Sequence, residues 1–301
     1  MFILSSALLY DDFTRFKKWI SVARLFGVSS NPYHQGRALF RNARAYGLNR
    51  SNLMNWACEA DCFPDFIMRV RDHILNYTRK KVWAEKTPRN IRVIGKFIEM
   101  FPNARVIHIV RDPRDVIVSL MGRGKTVPQA IETWLASVSA IQPYAQSPTV
   151  LQVRYEDICR NPMEGLDSVF NFLGVPSEKQ HFFSDATRSH RLGQMKEHKS
   201  WGLSPDQQCS TQSVGRYRNV DLPWEQLMAY RLTTAYARLI RTRPYTVGEM
   251  ARQYGYDAPV CPGSDYKELE LAWKLDPLRR LVDRRMGIPP YIPIVEAPVA
   301  T

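Results

Sequence analysis

The stretch IHIVRDPRDVIVS, residues 107–119, joins an apolar β-branched run directly to the signals that start a helix. Asp112 has the side chain of an N-cap, Pro113 stands at the favoured first helical position, and Asp115 follows three residues after the cap. The stretch therefore predicts a strand that turns at once into a helix. In a parallel sheet this junction lies at the carboxyl edge, where backbone N–H groups and cations bind anions.

Two residues at this junction are suited to hold an anion. Arg111 ends the apolar run, and Ser119 falls about two turns into the predicted helix. The tripeptide GKT, residues 124–126, would close a nucleotide loop only if G-x-x-x-x-G-K-[ST] stood between a strand and a helix, and Ser119 occupies the first glycine position. We therefore interpret GRGKT as the loop after the helix and place the phosphate site earlier; the alternative is a capped helix with surface arginines.

Strand-like and helical patterns alternate along the middle of the chain. The strand-like runs are VWAEK (82–86), ARVIHIV (104–110) and VLQVRYE (150–156), with IRVIGKFIEMF and AIETWLASVSAI between them. This alternation predicts an α/β fold with a parallel sheet covered by helices on both faces. Lys86 and Tyr155 then stand at the same edge as Arg111, with Tyr155 near enough to face a nucleotide base.

The flanking segments predict more helices and a tail. Residues 1–80 show amphipathic helical spacing, and both MEGLDSVFNFLG and PWEQLMAYRLTTAYARLIR predict helices, the first ended by Gly174 and Pro176. MARQYGY predicts the end of the last core helix. We expect one domain over residues 1–257 and a proline-rich extension over residues 258–301.

Composition indicates a globular chain with an anionic partner. The 301 residues carry a formal net charge of +13, and 45% of them are hydrophobic, which excludes overall disorder. Such a charge is typical of proteins that bind nucleic acid, membrane headgroups, acidic polymers or phosphorylated cofactors, and also of a plain basic surface. The basic residues are dispersed rather than gathered in one block, which disfavours a nucleic-acid-binding arm.

Cysteines and the apolar start bear on the compartment. The 5 cysteines include no C-x-x-C pair, which predicts thiols in a reducing compartment rather than a disulfide framework or a metal site. The start MFILSSALLYDDF has no basic region, and Asp11 and Asp12 cut it short. We expect a cytoplasmic protein that holds no metal and does not insert in a membrane.

The order of the motifs EKTPRN, FPNARVIHIVRDPRDVIVS, RYEDICRNPMEGLDSVFNFLGVP and SVGRYR, over about residues 83–257, resembles a known enzyme family. The family is the sulfotransferases that use 3′-phosphoadenosine 5′-phosphosulfate (PAPS), and the bacterial and protein-tyrosine branch is the most similar. The resemblance implies a P-loop-like three-layer fold, with PAPS as donor, 3′-phosphoadenosine 5′-phosphate (PAP) as product and no metal. It also implies sulfuryl transfer to a hydroxyl or amine acceptor that is not identified, with residues 1–80 on the acceptor side.

The resemblance assigns roles to individual residues. Arg111 and Ser119 match the arginine and serine that hold the 3′-phosphate, and Lys86 matches the lysine directed at the transferring group. Arg123 stands where protein-tyrosine members place a further arginine. The residues that match the late segment closing over the nucleotide are Ser213, Gly215 and Arg216.

The sequence departs from the family pattern at its start. Members begin with a strand and a loop of the type G-x-P-R-S-G-T-T, whereas FILSSALLY has no glycine and no basic residue precedes Arg15. We therefore expect the first strand and the donor loop to be missing and transfer to be impaired, and His34, Glu59 and Asp61 stay unassigned as bases. Two alternatives follow: a catalytically silent relative that binds a nucleotide or partner, and a basic nucleic-acid-binding protein.

Overall fold

The structure is a computed structural model that describes residues 46–86, 88–176, 211–232, 237–238 and 240–258. The chain divides into two compact units, the first ending at Asn103 and the second beginning at Ala104. Each unit has a hydrophobic core of its own.

The first unit is helical over most of its described residues. Its elements are α1 (Arg50–Glu59), α2 (Phe63–Thr78), a 3-10 helix (Pro88–Val93) and α3 (Ile94–Met100). Asn49 caps α1 because its side chain accepts a 2.8 Å hydrogen bond from the N–H of Asn52. The helix predicted from DFIMRVRDHILNYT is confirmed as α2, and the helices predicted before residue 46 lie largely outside the described residues.

Residues 82–86 do not form the strand predicted from VWAEK. The segment has no regular structure, and Val82 is 63% exposed. A strand of a parallel sheet needs apolar side chains on both faces, and this run turns charged at Glu85 and Lys86. Glu85 instead accepts a hydrogen bond from the side chain of Asn90, which lies in the following 3-10 helix.

The second unit contains two parallel strands, each followed by helices. Its first elements are β1 (Val106–Val110), α4 (Pro113–Met121), α5 (Val127–Ile141), a 3-10 helix (Gln142–Tyr144), β2 (Val150–Arg154), α6 (Tyr155–Arg160) and α7 (Pro162–Leu173). Val106 lies opposite Val150 and Val110 opposite Arg154 in the parallel register. The predicted α/β fold with a parallel sheet is confirmed, and both strands lie inside predicted runs.

Helices α4 and α5 cover β1 and form the core with it. Val110, Ile117, Trp134 and Leu135 are all buried in one cluster. Burial of an aliphatic or aromatic side chain stabilises the folded state by roughly 1.5 to 3 kcal/mol. This packing fixes the direction in which α4 leaves the strand.

The late part of the second unit differs from the prediction. Its described elements are two 3-10 helices (Thr211–Ser213 and Arg216–Asn219), α8 (Trp224–Ala229) and α9 (Val247–Gln253). The long helix predicted from PWEQLMAYRLTTAYARLIR is wrong at its centre, because α8 ends at Ala229. Beyond Ala229 the backbone pairs with a distant segment instead of continuing the helix. Arg231 forms an antiparallel bridge with Thr246, and the carbonyl of Tyr230 accepts a 2.9 Å hydrogen bond from the N–H of Val247.

Candidate active site

The junction between β1 and α4 forms as the sequence predicts. The Asp112 side chain caps α4 by accepting a 2.9 Å hydrogen bond from the N–H of Arg114, and Pro113 begins the helix. The N–H of Asp112 donates in turn to the buried carboxylate of Glu156 at 2.9 Å. The cap therefore joins the ends of β1 and β2, since Glu156 is the second residue of α6.

Asp115 has a different role from the one its spacing suggests. Its side chain is 1% exposed, and its carboxylate accepts hydrogen bonds from the backbone N–H groups of Gly215 at 2.7 Å and Tyr217 at 3.0 Å. A carboxylate that accepts from two N–H groups holds them more strongly than a neutral acceptor does. Asp115 therefore fixes the segment of residues 211–219, which we call the late loop, against the start of α4.

Arg111 lies between α4, α6 and the late loop. Its guanidinium donates to the carbonyl of Ser213, stands 3.5 Å from the carboxylate of Asp115 and lies 4.9 Å over the ring of Tyr155. Its carbonyl accepts a 2.9 Å bond from the indole N–H of Trp134. The Nε atom of Arg111 is buried and has no hydrogen-bond partner in the part of the chain that the structure describes.

Tyr155 is the first residue of α6 and is half-buried beside Arg111. Burial raises the pKa of Tyr155 to about 12, a hydrogen bond with Cys159 adds to this, and Arg111 and Ser213 act in the opposite direction. The phenol is therefore protonated at neutral pH, so it adds no negative charge beside Arg111.

Ser119 lies on α4 four residues after Asp115, which places it on the same face of the helix, one turn further from the strand. It is half-buried. Arg123 follows in the turn after α4, where it is exposed and its N–H bonds the carbonyl of Leu120 at 3.1 Å. Of the two residues predicted for the 3′-phosphate, Arg111 thus precedes the start of α4, whereas Ser119 lies in its last turn. No contact between them is observed among the described residues, and Arg123 follows the end of the helix.

The GRGKT segment is a loop after the helix, which confirms the prediction. Lys125 donates a 2.7 Å hydrogen bond from Nζ to the hydroxyl of Thr133. Thr126 caps α5, where it forms a capping box with Gln129. The lysine and threonine of the tripeptide therefore stabilise the start of α5.

Gly215 and Arg216 lie in the late loop beside Ser213, which is buried. Gly215 has φ +77°, and a Cβ atom there would stand 2.8 Å from a guanidinium nitrogen of Arg218. Arg216 is exposed, and its Nε donates to the carbonyl of Gln212 at 3.0 Å. Ser213 and Gly215 thus join Arg111 in one cluster, whereas Arg216 lies at its rim without an observed contact to Arg111 among the described residues.

The predicted catalytic lysine and the unassigned bases belong to the first unit or lie outside the described residues. Lys86 is exposed and outside regular structure. Glu59 forms a 3.1 Å ion pair with Arg69, Asp61 is exposed, and His34 falls in the undescribed start. The role of Lys86 stays a prediction.

Next to the site, Glu156 and Tyr256 form a buried pair that sequence reasoning missed. The carboxylate of Glu156 is 3% exposed and accepts a 2.7 Å hydrogen bond from the phenol of Tyr256. Burial and Glu156 together raise the pKa of Tyr256. The sequence analysis placed Glu156 at the end of the strand-like run 150–156, whereas β2 ends at Arg154 and Glu156 lies in α6.

The described ranges contain neither a metal-binding cluster nor a helix that could span a membrane. Within them, no group of three or more His, Cys, Asp or Glu residues is placed to bind a metal ion. None of the helices described there combines the length and the apolar character needed to span a bilayer.

Known proteins share sequence and fold with this chain. The profile of the sulfotransferase family matches residues 16–179, more than half of the chain. The chain belongs to the sulfotransferase family. Its α/β fold is that of a sulfotransferase: a solved sulfotransferase domain from the curacin biosynthetic pathway superposes with a TM-score of 0.50 over 85% of this chain and 92% of that one, at 16% identity.

Two curated sulfotransferases share part of the sequence. Carbohydrate sulfotransferase 1 of Mus musculus is 30% identical over 29% of this chain and 27% of its own length. The protein-tyrosine sulfotransferase of Drosophila melanogaster is 26% identical over 31% of this chain and 21% of its own length. The chain therefore spans about a quarter of the length of these relatives.

Proposed function

We propose that this chain is a PAPS-dependent sulfotransferase that transfers a sulfuryl group to a hydroxyl or amine. The observation that carries the proposal is the Arg111 side chain, held at the carboxyl end of β1 with a buried Nε that has no partner among the described residues. A buried N–H without a partner costs roughly 1 to 3 kcal/mol. An anionic oxygen at this point would remove that cost.

A nucleotide 3′-phosphate fits the groups around Arg111. The guanidinium supplies charge and the Ser119 hydroxyl supplies a donor from the same face of α4 as Asp115. The late loop, held by Asp115, would cover the nucleotide with Gly215 and Arg216. The phenol of Tyr155 is compatible with a neighbouring anion, because its pKa of about 12 keeps it neutral at physiological pH.

PAPS would supply the sulfuryl group, and the protein would position it and stabilise charge. Sulfuryl transfer is analogous to phosphoryl transfer, in which charge spreads over the equatorial oxygens while attacking and leaving oxygens lie in line. Cations therefore stabilise the transition state most directly. We assign this role to Lys86 on the resemblance of EKTPRN to the family motif, and its exposure leaves the ammonium accessible.

A hydroxyl is the acceptor group that the relatives favour. The matched proteins are named for transfer to carbohydrate and to protein tyrosine, and both present hydroxyl groups. A catalytically silent relative would keep the Arg111 site and lack transfer, and no observation on the described residues favours it.

Calorimetric titration with PAP tests the proposal, with adenosine 5′-phosphate as the matched ligand that lacks the 3′-phosphate. We expect PAP to bind at micromolar concentration and adenosine 5′-phosphate at least tenfold more weakly, since one charge-assisted contact is lost. Equal affinity for the two ligands would contradict the proposed 3′-phosphate site.

In a preparation that transfers sulfate, Lys86→Ala should lower kcat with little change in PAP affinity. An unchanged kcat would show that Lys86 does not take part in the reaction.

A further inference from the structure

A second basic site lies at the opposite edge of the sheet from Arg111. It is an open pocket of about 580 Å³, which we call the arginine pocket, and its described lining residues are Gln142, Pro143, Arg238, Arg241, Thr242, Arg243 and Tyr245. Gln142 and Pro143 precede β2, whereas Arg111 follows β1. Because the strands are parallel and five residues long, their two edges lie about 16 Å apart.

A tight turn presents two of the arginines. The N–H of Arg241 bonds the carbonyl of Arg238 at 3.1 Å, and the N–H of Thr242 bonds the carbonyl of Ala237 at 2.9 Å. Arg241 has φ +57°, a left-handed conformation that costs a non-glycine residue roughly 1 to 2 kcal/mol. The two bonds and this conformation are typical of the end of a helical turn, and they fix the backbone that carries Arg241.

The side chains of Arg243, the third arginine, and of Gln142, which we call the floor of the pocket, are held by neighbouring side chains. The guanidinium of Arg243 lies 4.0 Å over the ring of Tyr245 and 3.4 Å from the carboxylate of Glu249. The Gln142 amide donates a 2.8 Å hydrogen bond to the phenol of Tyr254 and accepts one from Gln253. The pocket therefore has a fixed floor and one stacked arginine, and none of its described lining residues is acidic.

We propose that the arginine pocket binds a tetrahedral oxyanion, a phosphate or sulfate group carried by a small molecule, independently of Arg111. Guanidinium groups form paired hydrogen bonds with such anions and remain charged at every physiological pH. The hydroxyls of Thr242 and Tyr245 add neutral donors. The volume exceeds that of a bare ion, and the pocket is open, so the group can be carried by a larger molecule that extends into solvent.

Calorimetry on the full chain at low ionic strength tests the pocket, with pyrophosphate as the probe. Arg238→Gln and Arg241→Gln should each weaken pyrophosphate binding about tenfold, because each removes a charge-assisted contact. Arg79→Gln is the matched control: Arg79 is also exposed at a left-handed position, with φ 53°, and lies outside the pocket. The proposal is overturned if the two pocket variants bind as the parent does, or if Arg79→Gln loses as much affinity.

Two further variants distinguish binding at the arginine pocket from a loss of stability and from binding at the Arg111 site. Arg241→Gly relieves the backbone conformation, so we expect weaker pyrophosphate binding together with equal or greater thermal stability. Arg111→Ala should leave pyrophosphate affinity unchanged, and a loss there would show that pyrophosphate binds at the nucleotide site and overturn the proposal. Inorganic sulfate and phosphate, titrated separately, decide which group the pocket accepts, and binding of neither group overturns it.

Discussion

The buried carboxylate of Asp115 accepts a 2.7 Å hydrogen bond from the backbone N–H of Gly215, 100 residues further along the chain. This contact attaches the late loop to the first turn of α4, and a second bond reaches the N–H of Tyr217. The position of the late loop, which we propose to cover the nucleotide, therefore depends on one side chain that itself need not touch the nucleotide.

Asp115→Ala should destabilise the fold and weaken PAP binding together. The change leaves two N–H groups without their acceptor, which costs roughly 2 to 4 kcal/mol in the free energy of unfolding. Asp115→Asn keeps one acceptor oxygen and should lose about half as much. Denaturant unfolding and PAP calorimetry measure both effects, with the exposed Asp157→Ala as control. The role of Asp115 is rejected if its alanine variant unfolds like that control.

Arg111→Ala should weaken PAP binding far more than it lowers stability. The variant removes the cation nearest the predicted 3′-phosphate, which corresponds to a tenfold to hundredfold loss of affinity. The variant removes the ion-pair partner of Asp115, but Asp115 keeps its two N–H partners and the unpartnered Nε of Arg111 is lost as well. Because these contributions oppose one another, we expect the free energy of unfolding to change by about 1 kcal/mol. Calorimetry and thermal denaturation check the two numbers, with Arg160→Ala as an exposed control; unchanged PAP affinity would remove Arg111 from the site.

Gly215→Ala should disturb the late loop, and Gly122→Ala should not. Gly215 has φ +77°, where an alanine costs roughly 1 kcal/mol or more, whereas Gly122 has φ −61° and ordinary contacts at 3.7 Å. We expect Gly215→Ala to lower both PAP affinity and the free energy of unfolding, measured as above. Identical behaviour of the two alanine variants would argue against a glycine requirement at position 215.

His108 should make the stability of the second unit fall as the solution becomes acidic. Burial lowers its pKa from 6.5 to about 4, and the neighbouring Gln152 side chain partly opposes this shift. Tyr254 packs edge-on against His108, with 6.0 Å between the ring centroids. The unfolded chain binds the proton first, so stabilisation is complete above pH 6.5 and is lost towards pH 4. The loss amounts to roughly 3 kcal/mol.

The variant His108→Leu isolates this effect, because leucine fills the buried site and does not titrate. The free energy of unfolding, followed from pH 7 to pH 4, should fall more steeply in the parent than in the variant. Parallel curves would show that His108 does not titrate between the two states.

Local features of this chain were predictable from sequence, and distant contacts were not. Asp112 and Pro113 predicted the start of α4. Ser119, which occupies the first glycine position of the G-x-x-x-x-G-K-[ST] pattern, indicated that GRGKT is not a phosphate-binding loop. The pairing of Asp115 with Gly215 had no local signal, since its partners are backbone groups far along the chain. The spacing of Asp115 suggested a capping role that the structure does not show.

The two errors have the same physical origin. Periodicity continued through Tyr230, yet the backbone there bonds Val247, so a tertiary contact ended a helix that local preference would have continued. VWAEK has strand-forming residues at its start, but the described chain offers it no pairing partner, and Val82 stays 63% exposed. Propensity is a weak guide wherever packing decides.

The long separation between Asp115 and the late loop also orders the assembly of the molecule. During synthesis β1, α4 and β2 leave the ribosome well before residues 215 and 217. The α/β core can therefore form while Asp115 still lacks the two N–H groups that donate to it. Contacts between distant segments form late in folding. The proposed nucleotide site is therefore complete only after the late loop docks, and mild denaturant should abolish PAP binding before it melts the sheet.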